Sequence, residues 1–189
     1  MTWFGEPVSR RMLVAAIVVA GLLAGASLWR FGFSWTSLPY IAYGVLSGVL
    51  IVIDARSKRL PNALTLPAIP VTAALLAGPA IAGEGDGALL RAICAGTVLL
   101  LAYLALHLIS PAGLGLGDVK LAASMGMVLG WISWPALLWG AVLGFVIAAL
   151  VSLALLAARR ATRKSDVPFG PSMLAGAWVV IIASSAIPL

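Results

Sequence analysis

Long apolar runs alternate with short polar or glycine-rich breaks along the whole chain. A helix needs about 20 mostly apolar residues to cross the hydrocarbon core of a bilayer. The pattern predicts seven such segments: Met12–Trp29, Leu38–Ile53, Ala63–Ala82, Arg91–Ile109, Val119–Gly130, Pro135–Ala158 and Pro171–Pro188. The fifth is short, so we expect it to tilt little, to sit in thinner bilayer or to begin earlier. We therefore predict an all-α, polytopic transmembrane helix bundle of about seven spans, with residues 1–189 forming a single domain.

The composition supports membrane insertion. Of 189 residues, 62% are hydrophobic and 10% are charged, and the mean hydropathy is +1.12. Soluble domains are closer to half apolar and a quarter charged, because they need polar surface to cover a core. The chain has one cysteine, Cys94, which lies in an apolar run. A single cysteine excludes an internal disulfide and a zinc-cysteine cluster.

The net charge of +6 is distributed as a topology signal. Cytoplasmic loops of membrane proteins carry an excess of Lys and Arg. When the connections are numbered alternately, only Arg30 and Arg91 fall on one side. The other side receives ten basic residues: Arg10, Arg11, Arg56, Lys58, Arg59, Lys120, Arg159, Arg160, Arg163 and Lys164. This predicts a cytoplasmic N-terminus and an external C-terminus, and it argues against a nucleic-acid partner.

Tryptophans and glycines add two expectations. Four tryptophans are predicted at the outer connections, where an aromatic belt forms: Trp29, Trp35, Trp131 and Trp134. Glycines also recur at four-residue spacing, which lets helices approach closely in lipid. We expect helix contacts at each of these pairs: Gly21/Gly25, Gly44/Gly48, Gly126/Gly130 and Gly140/Gly144.

Two of the six acidic residues stand at the edges of apolar runs. Asp54 closes the second run without a polar spacer, and Asp118 follows the glycine-rich stretch 113–117 and directly precedes the fifth predicted helix. Both fall at the predicted cytoplasmic boundary. An ionisable side chain at membrane depth is costly and usually has a partner or a function. The alternative is an interfacial charge beside Arg56 or Lys120.

The remaining acidic residues give weaker signals. Glu6 lies in the N-terminal tail, and Glu84 and Asp86 lie in a glycine-rich outer loop where we expect them to be solvated. Asp166 lies in a cytoplasmic loop, and we expect it to be solvated or helix-capping, with substrate docking as the alternative.

Two carboxylates that converge in a poorly hydrated site have a natural chemistry. Like charges a few ångströms apart cannot both ionise easily, so they share one proton. One acid then acts as base toward a water, and the other as acid toward the carbonyl oxygen or leaving amine. The pair titrates as a unit. The single histidine, His107, lies on an apolar helix face, so we expect it to be packed or interfacial, and contact with the site stays open.

The glycines before Asp118 have their own rationale. Gly115 and Gly117 permit backbone geometries closed to other residues and let another backbone approach. This suits a protease that holds an extended peptide. A phosphate-binding loop is the alternative, but no strand precedes these glycines and their spacing lacks the dinucleotide pattern.

Three segments together resemble the type IV prepilin peptidases. In the stretch Ile53–Thr65, Asp54 is followed by basic residues and a Leu-Pro-Asn turn, which is similar to the first-aspartate motif of that family. The stretch Gly115–Leu121 resembles its Gly-x-Gly-Asp motif with a following Lys, and Pro168–Pro171 resembles a third element before the last helix. Gly-x-Gly-Asp alone is a weak pattern, but three elements in order are far more specific.

The resemblance implies an intramembrane aspartyl endopeptidase with Asp54 and Asp118 as its catalytic residues. It also implies a positioning role for residues of the two motifs: Gly115, Gly117, Lys120, Pro61 and Asn62. For Lys120, which would favour the ionised dyad or orient the loop, the alternative is an interfacial lysine that reaches lipid headgroups.

The family also suggests a partner and a place. Its members cut the basic leader from prepilin or pseudopilin-like membrane proteins at the cytoplasmic face of the inner membrane, and they need no metal or other cofactor for this cleavage. Larger members carry paired Cys-x-x-Cys motifs and N-methylate the product. This chain has no such motifs, so we expect a short form without methyltransferase activity.

Two functions of other classes stay open. A small proton-coupled transporter could use the two acids as a relay, although both fall at one membrane face. A non-enzymatic assembly subunit of a pilus or secretion system could use the Gly-Asp loop for docking, and it would tolerate Asp→Asn changes.

Overall fold

The computed structural model describes residues 2–3, 6–7, 9–85, 87–111, 113–159 and 168–184. Within these residues the chain forms seven helices, which confirms the all-α bundle. They are α1 (Arg10–Phe31), α2 (Ser37–Ser57), α3 (Asn62–Ile81), α4 (Ala88–Ile109), α5 (Leu116–Ile132), α6 (Trp134–Ala157) and α7 (Gly170–Ala183). A short antiparallel pair, β1 (Thr2–Trp3) and β2 (Glu6–Pro7), precedes them and was not predicted.

Five of these helices, α1, α2, α3, α4 and α6, are long and apolar enough to cross a membrane. The helices α5 and α7 are shorter, with 17 and 14 residues. Only helices and closed barrels satisfy every backbone group within lipid, so this architecture is that of a multi-pass membrane protein. The cytoplasmic placement of the N-terminus stays a prediction.

Two helix boundaries differ from the apolar pattern in ways that matter for the acids. Helix α2 continues past the predicted Ile53 to Ser57, so Asp54 lies inside its last turn. Lys58 ends the helix in a left-handed conformation, with φ 52°, and its N–H donates to the Asp54 carbonyl at 2.8 Å. Helix α5 begins at Leu116, so Asp118 lies within its first turn rather than before it.

Helix α5 forms the centre of the bundle. It packs mainly against α4 and also contacts α3, α6 and α7. Gly126 approaches α4 so closely that an added Cβ would lie 2.7 Å from the Ala95 carbonyl oxygen. Trp131 on the same helix is only 6% exposed, so its expected place in an outer aromatic belt is wrong. The short α5 is therefore a core element rather than a lipid-facing one.

The glycine-pair expectation holds for three of the four pairs. Gly44 and Gly48 meet α1, Gly126 and Gly130 meet α4, and Gly140 and Gly144 meet α5 and α7. It is wrong for Gly21 and Gly25, because an added Cβ at either would have no neighbouring atom within 4 Å. Both glycines are exposed on the surface of α1.

Charged side chains bind free backbone groups at the helix ends that lie away from Asp118. The Arg91 guanidinium donates to the last carbonyls of α5, those of Gly130 (2.7 Å), Trp131 (2.6 Å) and Ile132 (3.2 Å). The Glu84 carboxylate accepts from the N–H and hydroxyl of Thr36, at 2.8 and 2.6 Å, and from the N–H of Trp35 at 3.1 Å. Glu84 therefore caps the start of α2 instead of being merely solvated. The Thr36 hydroxyl bond, with the two N–H bonds, holds the pKa of the Glu84 carboxyl below its ordinary value.

Candidate active site

Asp54 turns its carboxylate into the bundle from the last turn of α2, and it is only 4% exposed. Its Oδ2 accepts a hydrogen bond of 3.0 Å from the backbone N–H of Gly170, the first residue of α7. A helix N-terminus carries free N–H groups and a partial positive charge, so it stabilises an anion there. An added Cβ on Gly170 would lie 2.8 Å from the same oxygen, which explains why glycine occupies this position.

Asp118 is held by the same kind of contact at another helix start. It lies in the first turn of α5 and is 9% exposed. Its Oδ2 accepts a hydrogen bond of 3.1 Å from the backbone N–H of Gly115, the residue that caps α5. The acid thus closes its own helix end and is fixed relative to the α5 axis.

The bundle brings the two acids together at one end. Leu60 lies beside both Gly170, the donor to Asp54, and Gly117, the residue that precedes Asp118. In the part of the chain that the structure describes, each carboxylate accepts one hydrogen bond, and in both cases through Oδ2. The other oxygen of each acid is therefore available to a water or a substrate group.

Leu60, in the short connection between α2 and α3, fills the space between the two helix starts that hold the acids. An added Cβ on Gly117 would lie 2.8 Å from the Leu60 Cβ and 3.4 Å from its carbonyl oxygen. An added Cβ on Gly170 would lie 3.5 Å from the Leu60 Cδ1. Leu60 therefore sets the spacing between α5 and α7 next to the acids.

Two properties could explain the motif glycines: backbone conformations closed to other residues, or close approach of a neighbouring segment. Neither Gly115 nor Gly117 has a positive φ, so neither uses a conformation closed to other residues. Gly115 is extended, with φ −76° and ψ 151°. Close approach is the observed reason, since Gly117 lies against Leu60 and an added Cβ on Gly115 would lie 3.2 Å from the Asp118 Oδ2.

Lys120 contacts the turn before α3 rather than the acids. Its Nζ donates to the Asn62 Oδ1 at 2.7 Å, and within the described residues it bonds to neither carboxylate. Pro61 precedes α3, and its carbonyl accepts from the Thr65 N–H at 3.1 Å. The Lys120–Asn62 bond thus ties the start of α5 to the start of α3.

Sequence reasoning left His107 undecided and did not single out Tyr103. The His107 Nδ1 lies 2.6 Å from the Leu114 carbonyl oxygen, so Nδ1 carries the proton and donates to the segment that leads into Gly115. The Tyr103 ring, one helical turn earlier, lies 6.2 Å from the Phe169 ring, next to Gly170. No sequence motif pointed to these contacts.

Two further points concern the limits of the site. Asp166, for which docking was an alternative, lies outside the described residues, and so does Asp86. Among the residues that the structure describes, no three His, Cys, Asp or Glu side chains gather into a group that could hold a metal ion.

The chain is similar to a set of known proteins. The profile of the type IV leader peptidase family matches residues 41–158. Relatives named prepilin leader peptidase/N-methyltransferase include those of Stutzerimonas stutzeri, 29% identical over 168 residues, and Xanthomonas campestris pv. campestris, 29% identical over 183. The relative from Burkholderia pseudomallei is 32% identical over 169 residues.

These matches cover most of this chain but only part of the relatives. They take in 87%, 93% and 84% of the chain in the same order, and 56%, 60% and 50% of the relatives. The chain therefore spans between half and three fifths of the length of these curated relatives. No solved structure matches the chain at a significant level.

Proposed function

Because the chain belongs to the type IV leader peptidase family, we propose that it is an intramembrane aspartyl endopeptidase that removes the leader from prepilin- or pseudopilin-like precursors. The observation that carries this proposal is that the segments holding Asp54 and Asp118 meet at one end of the bundle, where Leu60 lies beside both Gly170 and Gly117. Both acids are buried, and each is oriented by a backbone N–H at a helix start.

The proposed chemistry follows from one shared proton. Two buried carboxylates within electrostatic reach cannot both ionise easily, so one keeps its proton. The ionised member takes a proton from a water as the water oxygen attacks the scissile carbonyl carbon. The protonated member gives its proton to the carbonyl oxygen, which forms a gem-diol. On collapse, the acid that took the water proton gives it to the leaving amine, a gem-diol hydroxyl returns a proton to the other acid, and the C–N bond breaks. The pair is then ready for another turnover.

The surroundings of Asp54 suggest where the leader is cut. The segment after Asp54 exposes three basic side chains, those of Arg56 in the last turn of α2 and of Lys58 and Arg59 beyond it. Such residues favour the cytoplasmic face of a membrane. We therefore place the cleavage at the cytoplasmic face, next to anionic lipid headgroups, with Gly115, Gly117, Lys120, Pro61 and Asn62 positioning the reacting segment. The precursor would reach the acids from within the bilayer.

A cleavage assay in membranes tests the proposal. The unchanged chain, Asp54→Asn and Asp118→Asn would be compared on a prepilin-like precursor with a basic leader, at matched expression. Glu84→Gln is the control, because Glu84 is an acid at the other end of the bundle. We expect both Asp variants to lose at least about a hundredfold in rate, and Glu84→Gln to cleave normally.

Two results would contradict the proposal. Cleavage at the normal rate by both Asp variants would remove the dyad from the mechanism. No cleavage of several leaders by the unchanged chain would instead favour the transporter or assembly-subunit hypothesis.

A further inference from the structure

Three tyrosines lie buried in the bundle, and they differ in whether the hydroxyl has a hydrogen-bond partner. The Tyr40 hydroxyl donates to the Val128 carbonyl at 2.6 Å. The Tyr43 and Tyr103 hydroxyls are buried and have no hydrogen-bond partner among the described residues. A buried hydroxyl without a partner destabilises the fold, and phenylalanine would fill the same space without that cost. A function would explain the presence of such a hydroxyl.

Tyr103 is placed between the segments that hold the two acids. It is 1% exposed and lies on α4, where its ring packs 5.5 Å from Phe145 and 6.2 Å from Phe169. Phe169 directly precedes Gly170, the donor to Asp54. His107, one turn further along α4, holds the carbonyl of the segment that leads to Asp118.

The Tyr103 hydroxyl also has a candidate acceptor on α5, the helix that packs against α4. Asp118 lies on α5, four residues after the Leu114 carbonyl that His107 of α4 binds, and it uses only Oδ2 for its bond to Gly115. Hydrogen bonds of catalytic groups are often long in the free enzyme and shorten when substrate binds. The remaining oxygen of Asp118 is therefore the natural acceptor for this hydroxyl.

We propose that Tyr103 is a positioning residue whose hydroxyl donates a hydrogen bond to the Asp118 carboxylate when a peptide occupies the site. This inference rests on the proposed function, since it assigns Tyr103 a role in the same reaction. The bond orients the free oxygen of Asp118 toward the reacting water. Its energy is realised along the reaction rather than in the resting protein, so it acts on kcat more than on KM.

Tyr43 provides the matched control. It is buried and without a partner like Tyr103, but it stacks on Trp178 at 6.1 Å. It precedes Asp54 by roughly three helical turns, or about 16 Å along α2 at 1.5 Å per residue. Tyr40→Phe is a second control that removes a hydroxyl with a partner inside the bundle.

The experiment measures kcat and KM for cleavage of the prepilin-like precursor, together with thermal unfolding, for Tyr103→Phe, Tyr43→Phe, Tyr40→Phe and Asp118→Asn. We expect Tyr103→Phe to lower kcat by about tenfold to a hundredfold, the effect of one hydrogen bond to a charged group, with KM within about twofold. Its unfolding temperature should be equal to that of the unchanged chain or higher. Tyr43→Phe should keep its kcat, and Tyr40→Phe should unfold at a lower temperature.

Three outcomes would overturn this inference. Tyr103→Phe could cleave at the unchanged rate, Tyr43→Phe could lose as much as Tyr103→Phe, or the loss in Tyr103→Phe could come with a lower unfolding temperature. In each case the proposed function survives if Asp118→Asn is inactive while the unchanged chain cleaves. Failure of the unchanged chain to cleave would overturn both.

Discussion

The backbone N–H of Gly170 donates to the Asp54 Oδ2 at 3.0 Å, across 116 residues of sequence. Gly115 makes the equivalent bond to Asp118 at 3.1 Å. In both pairs the glycine begins or caps a helix and the acceptor is a buried carboxylate. The directions of α5 and α7 therefore orient the two acids, and the glycines can be changed to test this without altering either acid.

Gly170→Ala should impair cleavage while keeping both acids and the backbone N–H. The added Cβ would lie 2.8 Å from the Asp54 Oδ2 and 3.3 Å from its Cγ, so the carboxylate must move. Displacement of a reacting group by about 1 Å costs up to about a hundredfold in rate. We expect a loss of about tenfold to a hundredfold in the precursor assay.

Gly78→Ala is the matched control for this change. It is a helical glycine whose added Cβ meets nothing within 4 Å, so activity should be kept. Normal cleavage by Gly170→Ala would show that cleavage does not depend on the position that the Asp54 carboxylate has in the structure.

Gly117→Ala should disturb the site through Leu60. The added Cβ would lie 2.8 Å from the Leu60 Cβ, and overpacking of this kind costs about 1–3 kcal/mol. We expect slower cleavage and a lower unfolding temperature. The double variant Gly117→Ala/Leu60→Gly should recover part of both, because glycine removes the Cβ that the new methyl group meets. Strictly additive losses in this double-mutant cycle would refute the contact.

Glu84→Gln should make stability less dependent on pH. The pKa of the Glu84 carboxyl is lowered in the folded protein, first by the Thr36 hydroxyl, so the protein is stabilised at pH values above the ordinary glutamate pKa. That stabilisation is lost as pH falls through the lowered value. The unfolding temperature of Glu84→Gln should be below that of the unchanged chain near neutral pH, and the two should converge in acid.

A difference that persists undiminished in acid would contradict this assignment. Thr36→Ser keeps the hydroxyl that bonds Glu84 and should behave like the unchanged chain. Cleavage near neutral pH should be normal in both variants, because Glu84 lies at the other end of the bundle.

The helices were predictable because a spanning segment must pair its backbone groups within its own helix and must carry apolar side chains toward the lipid. The apolar pattern failed at Ser57 and Leu116 for a physical reason. A helix continues as long as its backbone hydrogen bonds do, whatever the polarity of its side chains. The apolar run ends at Asp54 and Arg56, but α2 ends only at Lys58, which has a left-handed conformation. The same pattern could not show that α5 is central, so Trp131 was misplaced.

Within the site, the acids were predictable and their partners were not. Asp54 and Asp118 stood out because charged residues are rare beside apolar runs. The Gly170 bond and the Leu60 contact join residues far apart in sequence, and only the packing of α7 against α2 and α5 brings them together. Lys120 was expected near the acids by its spacing, yet its side chain reaches Asn62.

The contact between Lys120 and Asn62 decides how Lys120 acts. If Lys120 acts through Asn62 alone, Lys120→Ala and Asn62→Ala should impair cleavage to the same small extent, and the double variant should be no worse than either. The bond is near the surface, so each change should cost less than about 1 kcal/mol in stability. Precursor cleavage and thermal unfolding of the four chains would measure this coupling. A much larger loss of kcat in Lys120→Ala than in Asn62→Ala would show that the ammonium group acts on Asp54 or Asp118 directly.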